Sequence, residues 1–152
     1  MRRRLLPFYT IGIIILVVVL ILHTFGVTGT GKRLQFETVD KGYYSGHFNP
    51  AYHVINGIDE LADVWKKHTE IVFPEPLPPD VDFSKTTIIA VFMGQFSTGG
   101  YGIEVKEIID TGLSVVVKVE KSYPGKGCVV TLAFSQPYHI VKVDKIDRYV
   151  LF

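Results

Sequence analysis

Apolar residues in the second half of the chain follow patterns typical of β-strands. At 103–106 and 117–120, Ile or Val alternates with Glu or Lys, which indicates strands with one buried and one solvated face. The connections between apolar segments are short, as at 110–112 and 135–137. We therefore predict an antiparallel meander with strands in six segments: 86–94, 101–109, 113–121, 126–134, 138–143 and 148–152.

One helix is predicted in the first half of the chain, over 57–68. Apolar residues recur there at helical spacing and would form one buried stripe of Ile58, Leu61, Ala62 and Trp65. Asn56 precedes the helix, with Asp59 three residues later, so Asn56 is the predicted N-cap. Strands are predicted on either side of a turn-rich stretch, at 34–39 and 51–55.

These elements predict an α+β fold that is mainly antiparallel β, a two-layer sandwich or a partly open barrel with one covering helix. Four prolines fall between Pro74 and Pro79, which predicts a stiff extended connection between the helix and the next strand. Aromatic residues crowd 42–53. Half of them would suffice for the core, and the others would form an exposed patch suited to protein or glycan contact.

The first 27 residues predict a membrane anchor. Residues 5–27 carry no formal charge and would reach roughly 34 Å as a helix, enough to cross a bilayer. This apolar run is longer than that of a cleaved signal peptide, so an uncleaved anchor is favoured over a removed signal. The arginines in 1–4 predict a cytoplasmic N-terminus. Residues 28–33 then form a tether, and 34–152 form an extracytoplasmic domain.

Charge and cysteine content narrow the classes of partner. Beyond residue 31 the chain carries 13 basic and 15 acidic residues, so no basic surface is expected for nucleic acid. Cys128 is the single cysteine, and intramolecular disulfides are therefore excluded. Within the predicted 126–134 strand, Cys128 would be a small buried residue facing the same way as Val130 and Leu132.

Few residues have the spacing that a catalytic, metal-binding or cofactor-binding site requires. Gly94, Gly99, Gly100 and Gly102 fit neither phosphate-binding nor dinucleotide-binding spacing, and a strand follows them instead of a helix. The histidines at 47, 53, 68 and 139 lack the spacing that places two metal ligands on one face. No metal, cofactor or catalytic residue is therefore predicted. Gly99 and Gly100 are predicted to form the turn between the 86–94 and 101–109 strands.

The order of motifs in the second half resembles the PrcB C-terminal domain family, over roughly residues 60–146. The shared features are Asp82-Phe83 before the apolar strand, Gly94 at its end, Thr98-Gly99-Gly100-Tyr101, Pro124-x-x-Gly127-Cys128, and Pro137-Tyr138-x-Ile140-Val141. This family is named for a subunit of a protease complex on a bacterial cell surface. The resemblance implies a non-catalytic, extracytoplasmic domain that associates with a protease or another envelope protein.

The expected function is therefore that of a membrane-anchored protein-binding domain, an accessory subunit of a cell-surface protease complex. Two alternatives stay open: a chagasin-type peptidase inhibitor, suggested by the Gly-Tyr-containing loop STGGYG, and an envelope domain without assignable activity. Aromatic side chains on a rigid glycine turn can anchor an interface. The predicted partner-binding residues are Phe96, Thr98, Gly99, Gly100, Tyr101 and Tyr123.

Overall fold

Two four-stranded sheets form the domain in residues 31–152, the part of the chain that the structure, a computed structural model, describes. The strands are β1 (Lys32–Leu34), β2 (Phe36–Gly42), β3 (Ala51–Ile55), β4 (Thr86–Phe92), β5 (Gly102–Asp110), β6 (Val115–Ser122), β7 (Tyr138–Asp144) and β8 (Val150–Leu151), with helix α1 (Ile58–Thr69) between β3 and β4. Sheet I has the order β1-β5-β6-β8, and sheet II has the order β2-β7-β4-β3. All pairings are antiparallel except β6–β8, which is parallel.

The predicted two-sheet, mainly antiparallel architecture with one helix is confirmed, and the described residues do not form a closed barrel. The predicted basic end at 1–4 and anchor at 5–27 lie outside the described residues. Lys32 and Arg33, which the sequence placed in the tether, pair with Asp110 and Ile109 of β5. No helix in 31–152 is long and apolar enough to cross a bilayer.

Strand β4 is the centre of the core because it is buried on both faces. Ile89 and Val91 pack between the two sheets, whereas Ile88 and Phe92 pack against the helix side. A strand covered on both faces needs no polar alternation, which explains the continuous apolar run in its sequence. On the helix, Leu61 and Trp65 pack in the same cluster as Ile88 and Phe92.

The buried face of α1 differs from the predicted stripe. The buried residues are Leu61, Val64, Trp65, His68 and Thr69. Ile58 and Ala62 are exposed, so the predicted stripe was wrong at these two positions. The buried face extends instead to the last turn of the helix, where it contacts the β2–β3 connection.

The predicted N-cap is also wrong. Gly57 occupies the N-cap position, and no side chain caps the helix. The Asn56 side chain instead accepts a hydrogen bond from the Thr87 hydroxyl at 2.7 Å. Glu60 accepts the backbone N–H of Asn56 at 3.3 Å. Asn56 thus connects the start of the helix to the start of β4.

The predicted meander is interrupted twice. Strands β4 and β5 belong to different sheets, so the segment between them crosses the sandwich. Residues 126–134 form no strand, because the chain leaves sheet I after β6 and must cross to β7 in sheet II. Cys128 lies in this crossing and is exposed, which corrects the prediction of a buried cysteine.

Candidate functional site

Three connecting segments meet at the end of the sandwich where β5 begins. The Gly99 N–H donates to the Thr131 carbonyl at 3.0 Å. Phe96 and Ser135 exchange two backbone hydrogen bonds, of 2.8 and 3.0 Å. The Gln136 N–H donates to the Tyr43 carbonyl at 2.7 Å. Backbone bonds thus hold the β2–β3, β4–β5 and β6–β7 connections together.

The aromatic residues predicted to bind a partner form one cluster at this end. The Phe96 and Tyr101 rings are stacked at 3.8 Å, and Tyr123 meets the Tyr101 ring edge-on at 6.1 Å. Phe96 and Tyr101 are half-buried and pack against the inter-sheet core, whereas Tyr123 is exposed. Of the three rings, Tyr123 is therefore the most available to a partner.

The predicted glycines and Thr98 shape the backbone under this cluster. Gly100 has φ of +90°, a left-handed conformation that favours glycine, and a Cβ there would lie 3.0 Å from Pro124. A Cβ at Gly99 would come within 2.3 Å of the Thr131 hydroxyl, a distance that no real Cβ tolerates. The Thr98 carbonyl accepts a hydrogen bond from the Ser135 hydroxyl at 2.7 Å. The glycines let the β4–β5 and β6–β7 connections approach each other closely.

The most exposed residues at this end include one predicted partner-binding residue, Tyr123, two tyrosines of the aromatic 42–53 stretch, and three residues that the sequence assigned to a strand. We call the set the loop surface, and it consists of Tyr43, Tyr44, Tyr123, Val129, Leu132 and Phe134. All six are exposed, and Leu132 retains 92% of its accessible surface. Adjacent Val129 and Val130 break the strand alternation, and Gly125 and Gly127 precede them. These two signals could have identified an irregular segment instead of a strand.

A cleft of about 200 Å³ lies in the loop surface. Tyr43, Tyr44 and Phe134 provide aromatic walls, and Gly99 and Gly100 also line it. Formal charge is nearly absent here, since Lys126 is the only charged residue in the segments 43–48, 94–101 and 122–135. Such a surface offers apolar contact and backbone hydrogen bonds, with no cluster of charge to bind an ion.

A buried polar cluster joins the last turn of α1 to the β2–β3 connection. His68 Nδ1 accepts from the Ser45 hydroxyl at 3.0 Å, and His68 Nε2 donates to Asp40 Oδ2 at 3.2 Å. The hydrogen bond from His68 is the main cause that lowers the pKa of Asp40. These residue types are those of a hydrolytic triad, but Ser45 is only 1% exposed and its Oγ also accepts the His47 N–H. The cluster fixes the helix to the chain in front of β3.

His139 has a structural position between the sheets. Its Nδ1 accepts the Val105 N–H at 3.0 Å, and its Nε2 donates to the Thr38 hydroxyl at 2.9 Å. Burial lowers the pKa of His139, consistent with the neutral tautomer that these two bonds require. Both nitrogens are used within the fold, so His139 does not pair with Cys128. Within 31–152, no three His, Cys, Asp or Glu side chains are gathered to hold a metal ion.

Comparison with known proteins gives one family match. Residues 87–144 match the family described as PrcB C-terminal, which confirms the resemblance seen in the sequence over a shorter range than predicted. The matched range runs from β4 to the end of β7 and includes all six predicted partner-binding residues. No curated protein and no solved structure gives a significant match to the chain.

Proposed function

We propose that this protein is a membrane-anchored, extracytoplasmic, non-catalytic protein-binding module that serves as an accessory subunit of a cell-surface protease complex. The observation that carries the proposal is the loop surface, where six large apolar or aromatic side chains are exposed on a backbone held by cross-loop hydrogen bonds. Groups of exposed large apolar side chains are typical of surfaces that bind another molecule.

The composition of the loop surface favours a protein partner. Cores of protein interfaces are enriched in aromatic residues and depleted of charge, and the segments 43–48, 94–101 and 122–135 carry only Lys126. Tyrosine contributes a large contact area at little entropic cost, because few torsions are frozen on binding. The cleft between Tyr43, Tyr44 and Phe134 could receive one apolar side chain of the partner.

The proposed association with a protease rests on the family likeness. The proposal that the domain itself is non-catalytic rests on the environment of its serine, cysteine and histidine residues. The PrcB C-terminal family is named for a subunit of a protease complex, and the match spans the segments that build the loop surface after β4. The Ser45 hydroxyl is buried, and the ring nitrogens of His68 and His139 are bonded to other groups of the fold, so neither histidine activates Cys128. These features support a binding subunit over a hydrolytic one. The apolar 5–27 segment supports membrane attachment.

A capture experiment with the full chain tests the proposal. The tagged protein, solubilised from native membranes in mild detergent, should retain a discrete partner, and we expect a secreted or surface protease. Replacing Leu132 and Phe134 by Ser should lower recovery of the partner at least about tenfold, since central apolar contacts dominate interface energy. Phe96 and Tyr101 are poorer targets because their loss would also disturb the core.

Leu113 provides the matched control. It is 90% exposed, close to the value for Leu132, but lies in the β5–β6 turn at the opposite end of β5. Leu113→Ser should leave capture unchanged. The two variants should have the same circular dichroism spectrum. If they then recover the same amount of partner, the proposed binding surface is refuted.

A peptidase inhibitor is the second candidate. The observation that favours it is that the STGGYG loop lies with two other connections at one end of a β-sandwich, a position from which loops can enter a peptidase cleft. A sub-micromolar block of a papain-type cysteine peptidase by the full chain, lost on the Leu132 and Phe134 substitutions, would replace the accessory-subunit proposal with this one.

A further inference from the structure

The contact between the β2–β3 connection and the last turn of α1 positions two residues of the loop surface. Tyr43 and Tyr44, which line the cleft, directly precede this contact. The Gly46 N–H donates to the His68 carbonyl at 2.9 Å, and the Ser45 hydroxyl donates to His68 Nδ1 at 3.0 Å. A Cβ at Gly46 would lie 2.2 Å from a carbonyl oxygen of the helix, so the two backbones approach closely. The positions of both tyrosines therefore depend on this contact.

Three imidazole rings lie around the Phe92 side chain, next to the same contact. We call His47, His53 and His68 the histidine cluster. The His47 ring is stacked on Phe92 with 3.7 Å between the ring centroids. The other two rings lie 6.0 and 5.8 Å from Phe92. Because Phe92 is buried, the stacked His47 ring joins the β2–β3 connection to the core.

Two members of the histidine cluster are placed as neutral rings. His47 and His53 are half-buried, and burial is the main cause that lowers the pKa of each, to about 4 for His47. Among residues 31–152, His53 Nε2 is buried and has no hydrogen-bond partner. A proton added to this nitrogen would be a buried donor without an acceptor, which is unfavourable. The geometry therefore opposes a positive charge at both positions.

The groups around the histidine cluster do not compensate two added protons. The titratable groups that neighbouring elements contribute are Glu60 and Lys67 of α1, Asp40 of β2 and Tyr138 of β7. Lys67 disfavours a positive charge on His47, and Asp40 pairs with His68. Glu60 favours a charge on His53, but it is exposed and screened by solvent. Two protonated rings whose centroids lie 5.6 Å apart, as those of His47 and His53 do, would also repel each other.

We propose that the histidine cluster makes the loop surface sensitive to acid: protonation of His47 and His53 releases the β2–β3 connection from α1, displaces Tyr43 and Tyr44, and weakens binding of the partner. The inference rests on the proposed function in one respect, that the loop surface binds the partner. Release of the connection itself does not depend on any partner.

The sign of the pH dependence follows from the two environments. In the released state water solvates both rings, and the pKa of each returns towards the ordinary value of 6.5. Each proton taken up therefore favours release as the pH falls from 6.5 towards 4. The attached form, and with it affinity for the partner, should be greatest at neutral pH.

Release of the connection leaves the sandwich intact. The pairing of β4 with β3 and β7 includes no residue of the connection. At its two ends the connection is bonded to other loops, since the Tyr43 carbonyl accepts the Gln136 N–H at 2.7 Å and the Phe48 carbonyl accepts the Gln95 N–H at 3.1 Å. Displacement of the connection thus acts on the loop surface. A partner that requires the attached form binds in proportion to the attached fraction.

The first experiment needs no partner. Hydrogen exchange of the full chain in detergent micelles is followed by NMR at pH 7 and pH 5, with the intrinsic pH dependence of exchange corrected. The Gly46 amide should exchange by a local opening, faster than the Ile89 amide of β4 at both pH values. Its protection should fall at least about fivefold at pH 5. The Thr111 amide is the matched control, because it is bonded within the β5–β6 turn, and its protection should not change.

Two variants assign the effect to the histidines. His47→Phe combined with His53→Leu keeps apolar contact with Phe92 and removes both titrating rings, so Gly46 protection should become independent of pH. Persistent pH dependence in this double variant, or exchange of Gly46 and Ile89 through one common opening in the wild type, would overturn the proposal. If the double variant fails to fold, His53→Gln alone decides, because it should reduce the pH dependence of Gly46 protection.

Partner capture separates this inference from the proposed function. With the partner recovered at pH 7, recovery at pH 5 should fall at least about fivefold for the wild type and less than about twofold for the double variant. Equal recovery at the two pH values, or an equal loss in wild type and double variant, would overturn control of the loop surface by the histidine cluster. No capture at either pH would refute the proposed function, and Gly46 exchange would then decide the release of the connection alone.

Discussion

Strand β4 and the 128–134 segment have similar compositions and opposite environments. Each is seven residues long, and each consists of aliphatic residues and one Phe with few polar interruptions. In β4 all residues but the first are buried. In 128–134 none is buried, and Val129 and Leu132 are almost fully exposed.

Neighbouring strands account for the difference. β4 lies between β3 and β7 and has the helix on one face and sheet I on the other, so it is paired along both edges and packed on both faces. The 128–134 segment crosses from sheet I to sheet II, where Thr131 accepts a backbone hydrogen bond from Gly99 of the β4–β5 connection and Cys128 donates one to Gly125. An apolar run predicts burial only where the topology supplies a neighbour. Where it does not, the run stays exposed, as 128–134 does.

The largest expected effect comes from truncation of β4. Ile89 is fully buried between the sheets, so Ile89→Ala should lower the free energy of unfolding by about 2–5 kcal/mol. Urea denaturation followed by circular dichroism measures the change. A loss below 1 kcal/mol would mean that β4 is not the centre of the core.

Acidification should lower the free energy of unfolding through a histidine that packs on β4. His47 stacks on Phe92 at 3.7 Å, and burial is the main cause that lowers the pKa of His47 to about 4. The folded state therefore favours neutral His47, whose contribution to stability is complete above pH 6.5 and is lost as the pH falls towards 4. Because His47 is only half-buried and solvent screens part of the effect, the loss from this residue at pH 4 should be about 1–2 kcal/mol.

Urea titrations at several pH values check this expectation. The pKa values of His53 and His139 are lowered by burial as well, so they add to the same slope. His47→Phe should flatten the slope between pH 6.5 and 4, whereas Leu132→Ala should leave it unchanged. An unchanged slope in His47→Phe would contradict the assignment.

Glycine substitutions should have intermediate effects and report on the loop backbone. Gly127→Ala introduces only backbone strain, since φ is +79° and no atom lies within 4 Å of the added Cβ; it should cost about 1 kcal/mol. Gly100→Ala adds crowding against Pro124 and Val130, so it should cost about 2 kcal/mol and weaken partner capture. Equal costs in thermal unfolding would show that the two connections do not pack closely at Gly100.

The smallest expected effect on stability lies in the exposed segment itself. Leu132→Ala removes a side chain that contributes little to the core, and the free energy of unfolding should change by less than about 0.5 kcal/mol. Together with Ile89→Ala, this substitution compares two apolar residues of similar size in the two regions. A loss above about 2 kcal/mol would show that the 128–134 segment packs on the fold in solution.

The sequence predicted most strands because their patterns are local. β3, β4 and β8 fall within the predicted segments, and β5, β6 and β7 each extend one residue beyond theirs. The β5–β6 hairpin follows from its short turn. The exposed aromatics of 42–53 include Tyr43 and Tyr44, as the composition suggested. The two-sheet arrangement could be predicted as a class, since such a pattern has few packing solutions.

Other features depend on long-range pairing and could not be predicted. Nothing local indicates that the chain changes sheets at Gln35, or that 128–134 crosses the sandwich without a strand partner. The cluster of Asp40, Ser45 and His68 arises from residues up to 28 positions apart. Of the candidate site, the glycine turn and its aromatics came from the sequence, while Val129, Leu132 and Phe134 required the fold.

The path of β1 and β2 has a mechanical consequence. The described chain begins at Gly31, beside Ile109 and Asp110, and the same run ends at Gly42 next to the opposite pole of the sandwich. If the proposed membrane anchor holds the chain before Gly31 and the proposed partner pulls at the loop surface, the force would act on β1 and β2 along their length. The hydrogen bonds of β1 with β5 and of β2 with β7 would then be loaded in parallel, as shear. A strand loaded in shear withstands more force than one that is peeled from a sheet one hydrogen bond at a time.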